Sequence, residues 1–188
     1  MINHTSLLFS SGRIRRLHTA AADHTDDTPT LSNDQVVLKV LTQADADPFF
    51  RLYRSCESHD HGSQYPVLPE DTAESFALCI VAACELIWTI RLVRDPTVII
   101  GDCALHHWEK EHGVIEFGGT LLPACWGQGI MQAALQLVVQ HSIEHYETRS
   151  LACTTATQNN RANRFAEKMG FSPINIQNDT IRWEKSIC

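Results

Sequence analysis

Residues 122 to 133 read Leu-Pro-Ala-Cys-Trp-Gly-Gln-Gly-Ile-Met-Gln-Ala, joining a strand-like apolar stretch, Val114 to Leu122, to a helix-like one, Ile130 to Tyr146. Gly127 and Gly129 bracket Gln128 at the junction. A strand running through paired glycines into a helix start aims several free backbone N–H groups at one point. The helix dipole makes that point attractive to an anion, usually a phosphate. Any Cβ there would hold the anion away from the amides, which is why glycine is needed. No Gly-Lys-Ser/Thr follows and no third glycine is present, so neither a triphosphate P-loop nor a dinucleotide fingerprint fits. Taken alone, the stretch also reads as an ordinary β–α connection whose glycines serve only turn geometry.

The rest of the chain alternates strands and helices. Val36 to Val40 reads as a strand, and Thr42 caps a helix over Ala44 to Ser55. The stretch 58–68 is polar and carries Gly62 and Pro66, so it reads as a loop. Asp71-Thr72-Ala73-Glu74 has the form of a capping box, and Ala73, Phe76, Ile80, Ala83, Cys84 and Ile87 follow at helical spacing. Leu86 to Val93 and Val98 to His106 read as strands joined near Asp95-Pro96. After the glycine turn and its helix come a strand from Ser150 to Thr155 and a helix from about Arg161. A hairpin over Ile174 to Ile187, turning at Asn178-Asp179, ends the chain. Interleaving of this kind predicts an α/β (α+β) sandwich with a mixed, mostly antiparallel sheet flanked by helices.

Composition sets bounds. With 188 residues, 44% apolar and 20% charged, the chain can fill a full core. A net charge of −7 argues against a nucleic-acid partner. No apolar run reaches the roughly 18 residues of a membrane span. The seven cysteines form no Cys-x-x-Cys pair, so neither a disulfide framework nor a zinc site is suggested; a reducing, cytoplasmic setting is expected. His59-Asp60-His61 and His106-His107 lack the partners of a metal site by spacing, read as loop and surface residues, and no metal is expected.

A second stretch identifies the phosphate ligand. Residues 159–171 read Asn-Asn-Arg-Ala-Asn-Arg-Phe-Ala-Glu-Lys-Met-Gly-Phe, some thirty residues after Trp126-Gly127-Gln128-Gly129. With both motifs in this order, the chain from about Leu38 onward resembles the GNAT superfamily of acyl-CoA N-acyltransferases. Within it the likeness is to the RimJ/RimL-type N-acetyltransferases. The resemblance implies a sheet whose two central strands splay apart and admit the pantetheine arm of acetyl-CoA. It implies backbone contacts from Thr120, Leu121 and Leu122 to that arm. The turn Trp126, Gly127, Gln128, Gly129, Ile130 and Met131 would hold the pyrophosphate, with Asn159 near the arm and Asn163 beside it. Arg161 and Arg164 are placed to meet the 3′-phosphate, or to serve as solvated helix charges. Gly118-Gly119, inside one splayed strand, is expected to mark a bulge or a close ligand approach.

Such a protein transfers acetyl from acetyl-CoA to a primary amine, either a protein N-terminus or a small molecule, as a monomer or homodimer. Glu116 is the expected base, acting through water, with Glu85 and Asp102 as weaker candidates. The chain departs from the family where an acid is wanted. Ala166 stands at the position of a common tyrosine, and Ala162 at that of a RimL-like serine. A thiolate of pKa near 8.5 is a tolerable leaving group without an acid. The other reading is a CoA-binding module with little turnover, acting as a sensor or interaction domain.

Residues 31–188 are expected to form one domain behind an extension over residues 1–30. From Met1 to Ala22 that extension has no acidic residue and carries Arg13, Arg15 and Arg16. Its composition suits an organellar transit peptide or a bacterial N-terminal extension, and both stand open.

Overall fold

A computed structural model describes residues 30–56 and 66–187. The expected N-terminal extension and most of the 58–68 loop lie outside the described residues. Eight strands form one sheet in the order β1-β2-β3-β4-β5-β6-β8-β7. They are β1 (Leu31–Ser32), β2 (Val36–Val40), β3 (Leu86–Leu92), β4 (Gly101–Glu109), β5 (Val114–Leu121), β6 (Ser150–Ala156), β7 (Ser172–Gln177) and β8 (Thr180–Ser186). Every neighbouring pair is antiparallel except β5 and β6, which run parallel. The helices are α1 (Ala46–Cys56), α2 (Ala73–Ala83), α3 (Ile130–Tyr146) and α4 (Asn160–Lys168).

Strand alternation divides the core into two layers. Trp88, Ile90, Cys103, Leu105 and Ile115 point to one face, where Ile130, Ala134 and Val138 of α3 and Ala166 of α4 cover them. Ile87 and Ala104 point to the other, against Phe49, Leu52 and Tyr53 of α1 and Phe76 and Ile80 of α2. Phe76 packs edge-on to Tyr53 with ring centroids 4.9 Å apart, locking α1 to α2.

Several boundaries differ from expectation, each for a local reason. The Asp45 carboxylate accepts both the N–H and the hydroxyl of Thr42, so the chain enters α1 through a 3-10 turn, and the α-helix begins at Ala46. In α2 the cap is Thr72, not Asp71. The Thr72 hydroxyl accepts the Ser75 N–H at 3.1 Å, while Asp71 accepts the Leu68 N–H and closes the preceding turn. The guanidinium of Arg91 donates to the carbonyls of Pro96 and Thr97, holding that segment as a turn and delaying β4 to Gly101. Hairpin β7–β8 turns at Asn178 and Asp179, both at positive φ (51° and 58°), as a type I′ turn requires. Among the described residues no helix is long and apolar enough to cross a membrane.

The feature that positions the site is the parting of β5 and β6. They pair only over Val114–Glu116 and Ser150–Ala152, although β5 continues to Leu121 and β6 to Ala156. Beyond Glu116 the expected splay is present.

Candidate active site

Two cavities meet in the opening between β5 and β6. One, of about 380 Å³, is bounded by the glycine turn and by α4; the other, of about 240 Å³, lies toward α1 and α2. Gly119, Thr120, Met131, Asn159, Ala162 and Phe165 line both.

The larger cavity is built around the start of α3. Leu122, Pro123 and Cys125 form a 3-10 turn that ends β5, and Pro123 at its first position suits that turn. Gly127 (φ 72°) and Gly129 (φ 77°) then take left-handed conformations that cost an L-residue about 1–2 kcal/mol. Helix α3 has no side-chain cap and no acidic residue in its first turn. Its first backbone bond is Ala133 N–H to Gly129 O at 2.9 Å. The N–H groups of Gly127, Gln128 and Gly129 have no partner among the described residues, and those of Ile130 to Gln132 precede the first intrahelical bond. A Cβ on Gly127 would meet nothing within 4 Å, so this glycine faces open space. The Gln128 carbonyl accepts from the Gln35 side chain at 2.8 Å, and the Gln128 amide donates to Ala124 O, which fixes the turn from both sides. The N–H of Trp126 is bonded to Pro123 O, so the donors facing the cavity begin at Gly127.

The β5 edge narrows in the same way. The N–H of Leu122 bonds Ile100 O at 2.9 Å on the β4 side. Because strand N–H groups alternate sides, Thr120 also faces β4, and Gly119 and Leu121 face the opening. The Leu121 carbonyl accepts there from the Trp126 indole at 2.8 Å. The Arg161 guanidinium stacks over the Trp126 ring, 3.2 Å from its centroid, and so ties α4 to the turn. Arg161, Arg164 and Lys168 make this wall cationic in a chain of net charge −7.

Asn159 and Asn163 separate in role. Oδ1 of Asn159 accepts the Ala162 N–H at 3.1 Å and caps α4, while the residue lines both cavities. Asn163 lines neither. It accepts the Thr155 hydroxyl at 2.6 Å and donates to the carbonyls of Ala156 and Thr157, so it fastens α4 to the end of β6.

The smaller cavity is built from side chains. Glu116 is 5% exposed, and one of its carboxylate oxygens lies 3.0 Å from His107 Nδ1 and 3.9 Å from Arg182 Nη1. Burial pushes its pKa up, but hydrogen bonds from Thr154 and His107 and the nearby imidazoles more than offset that, holding it below the usual carboxylate value. Glu116 is therefore ionised at neutral pH. His106, 8% exposed, faces Glu116 across the β4–β5 ladder, and burial lowers its pKa despite that carboxylate. At neutral pH it is an uncharged imidazole. Asp102 is 2% exposed, and burial raises its pKa to about 7, with Thr120 and Tyr53 offsetting only part of the rise. Its Oδ1 has no hydrogen-bond partner among the described residues. Glu85 is exposed and lines neither cavity.

Two expectations need correction. His106 is not a loop or surface residue: it belongs to β4 and is buried beside Glu116, whereas His107, also in β4, is exposed as expected. The signal was the β4–β5 register, which pairs His106 with Glu116 and is invisible without the ladder. Gly118 and Gly119 mark no bulge, although both line the opening between β5 and β6. A Cβ on Gly119 would lie 2.5 Å from Asp102 O, and one on Gly118 2.9 Å from His106 Nε2, so these glycines make room for β4. The register shift in this ladder falls instead between His106 and Glu109. Ala162 and Ala166 supply no acid, and Ala166 is buried in the core.

Comparison with known proteins agrees with this geometry. The family model described as Acetyltransferase (GNAT) domain matches residues 35–172. The chain is 25% identical over 151 residues to the uncharacterized N-acetyltransferase YoaA of Bacillus subtilis (strain 168), spanning 76% of this chain and 82% of that protein. Among solved structures, the self-immunity acetyltransferase MccE for microcin C7, in complex with acetyl-CoA and AMP, superposes with a TM-score of 0.69 at 18% identity, over 85% of this chain and 98% of that one. The Salmonella typhimurium acetyl transferase that modifies the N-terminal serine of ribosomal protein L7/L12 gives 0.70 at 14% identity, over 83% and 97%. Likeness at these identities establishes a common fold. With the family model spanning most of its length, this chain belongs to the GNAT acetyltransferases, enzymes that draw their acetyl group from acetyl-CoA.

Proposed function

We propose that the protein is an N-acetyltransferase that passes the acetyl group of acetyl-CoA to a primary amine, with Glu116 as the base. The observation that carries this reading is the buried carboxylate of Glu116 at the point where β5 and β6 part, facing the cavity opposite the glycine turn. In this reading Gly127, Gln128, Gly129, Ile130 and Met131 donate backbone N–H groups to the pyrophosphate, and Arg161, Arg164 and Lys168 complement the remaining phosphate charge. The pantetheine arm lies along Gly119 and Leu121 and passes Asn159.

The amine arrives protonated and is held by the negative charge of Glu116, with Asp102 deeper in the same cavity. Glu116 accepts the ammonium proton through water, and the neutral amine attacks the thioester carbonyl. The carbonyl oxygen takes negative charge beside the strand N–H groups as the tetrahedral intermediate forms. Its collapse expels the thiolate without a dedicated acid, because neither Ala162 nor Ala166 can donate a proton, and the extra proton on the attacking nitrogen passes to water.

The Glu116 carboxylate in the acceptor cavity favours a cationic acceptor, whether a peptide N-terminus, as for the Salmonella neighbour, or a small amine. A coenzyme-A release assay over a panel of peptides and small amines tests the reading. Turnover with at least one amine, lost in Glu116→Gln while acetyl-CoA binding persists, supports it. The missing acid at residues 162 and 166 favours a second reading, a CoA-binding module. Tight acetyl-CoA binding without turnover on any amine would establish that one instead.

A further inference from the structure

The geometry points to a divalent transition-metal site formed by Nδ1 of His106, Nδ1 of His107 and the Glu116 carboxylate. The two imidazole nitrogens are 3.1 Å apart, and the carboxylate oxygen lies 3.0 Å from His107 Nδ1 and 4.0 Å from His106 Nδ1. A point equidistant from the three lies about 2.0 Å from each by the geometry of that triangle, within the roughly 2.0–2.2 Å of Zn–N and Zn–O bonds. The three donor atoms are thus close enough together for one ion to reach all of them, with a small shift of the exposed His107 needed for tetrahedral angles.

The backbone is bent to bring them together. Consecutive side chains of a regular strand point to opposite faces. His107 instead has a positive φ of 51°, and the β4–β5 register shifts between His106 and Glu109. That irregularity lets two adjacent histidines converge on one carboxylate. The three donor atoms face one another, and without an ion only a proton shared among them can bridge them. A metal ion replaces that proton and satisfies all three groups.

Access and selectivity follow from the surroundings. The His107 side chain is 54% exposed whereas Glu116 and His106 are buried, so an ion enters past His107 and water completes its shell. Two imidazoles and one carboxylate suit Zn²⁺ and its transition-metal neighbours, and not Mg²⁺ or Ca²⁺. Arg182, 3.9 Å from the Glu116 carboxylate, competes with the ion for it, but it also reaches Glu109 at 3.5 Å and can pair there instead. Where Glu116 is the base, as proposed above, a bound metal takes the lone pair that would accept the ammonium proton, so zinc inhibits transfer and a chelator restores it.

The site is tested without acetyl-CoA or acceptor, by calorimetric titration of Zn²⁺ into the untagged, metal-stripped chain. Expected are one site per chain, proton release on binding, and no heat with Mg²⁺. His107→Asn keeps a residue that tolerates positive φ and should weaken zinc roughly tenfold or more. His112→Ala, at an exposed histidine beside Glu109, should leave affinity unchanged. Equal zinc affinity in His107→Asn and the unaltered chain, or no binding at all, overturns the site. Zinc binding at this site without inhibition of turnover keeps the site and overturns the role proposed for Glu116.

Discussion

In the half of the cleft proposed for the cofactor, the groups that act are backbone N–H groups from Gly127 to Met131, backed by Arg161, Arg164 and Lys168. In the half proposed for the acceptor they are the side chains of Asp102, His106 and Glu116, all buried. One half presents positive charge and the other negative, within one opening of one acidic chain. The N–H donors of the first are contiguous in sequence and need only a turn and a helix start. The second is gathered from β4 and β5 by strand register, so it depends on the whole sheet.

The largest expected effect tests the acceptor half. Glu116→Gln keeps shape and removes the base, so kcat should fall roughly 10²- to 10⁴-fold, the usual worth of a positioned base. Steady-state kinetics with any accepted amine measures it. A fall below about threefold would move the proton transfer to another group.

Asp102 gives a stability counterpart. Its pKa rises from an ordinary 3.8 to about 7 because burial penalises the charge. The folded chain therefore holds a proton that the unfolded chain releases between those values, and stability is lost as pH rises through that window. Asp102→Asn carries no such charge. Its advantage should grow from near pH 4 to near pH 7 and stay level above, reaching at most a few kcal/mol. Urea midpoints at pH 5 and pH 8 read this directly. A gap that does not widen would mean that the carboxylate is hydrated.

What was legible in the sequence follows the same division. The glycine turn and α3 were readable because φ and periodicity leave local marks, and Ile130–Tyr146 has the expected bounds. The parting of β5 and β6 was reachable only through the family resemblance. Glu116 was placed by its position in that strand, but its partners were not, because His106 and His107 meet it through a ladder and a bulge. The family resemblance puts Asn163 beside Asn159 at the cofactor, yet its side chain lines neither cavity. The fold commits both of its amide protons to Ala156 and Thr157 and its oxygen to the Thr155 hydroxyl.

The asparagines give the smallest effects. Asn159→Ala removes the cap on Ala162, about 1 kcal/mol of stability, and should also weaken acetyl-CoA a few-fold. Asn163→Ala should lower stability by a similar amount and leave acetyl-CoA affinity unchanged. Thermal melts paired with calorimetry separate the two, and equal losses of affinity would erase the distinction drawn between them.

The central claim is that cofactor binding rests on the glycine turn and chemistry on the acceptor side. It is tested most directly by titrating acetyl-CoA into Gly129→Val and Glu116→Gln in parallel. Gly129→Val puts a branched side chain at φ 77° among the donors and should weaken binding by about 2 kcal/mol, roughly thirtyfold. Glu116→Gln should bind as the unaltered chain does. Unchanged affinity in a folded Gly129→Val protein, or a comparable loss in Glu116→Gln, would contradict the account.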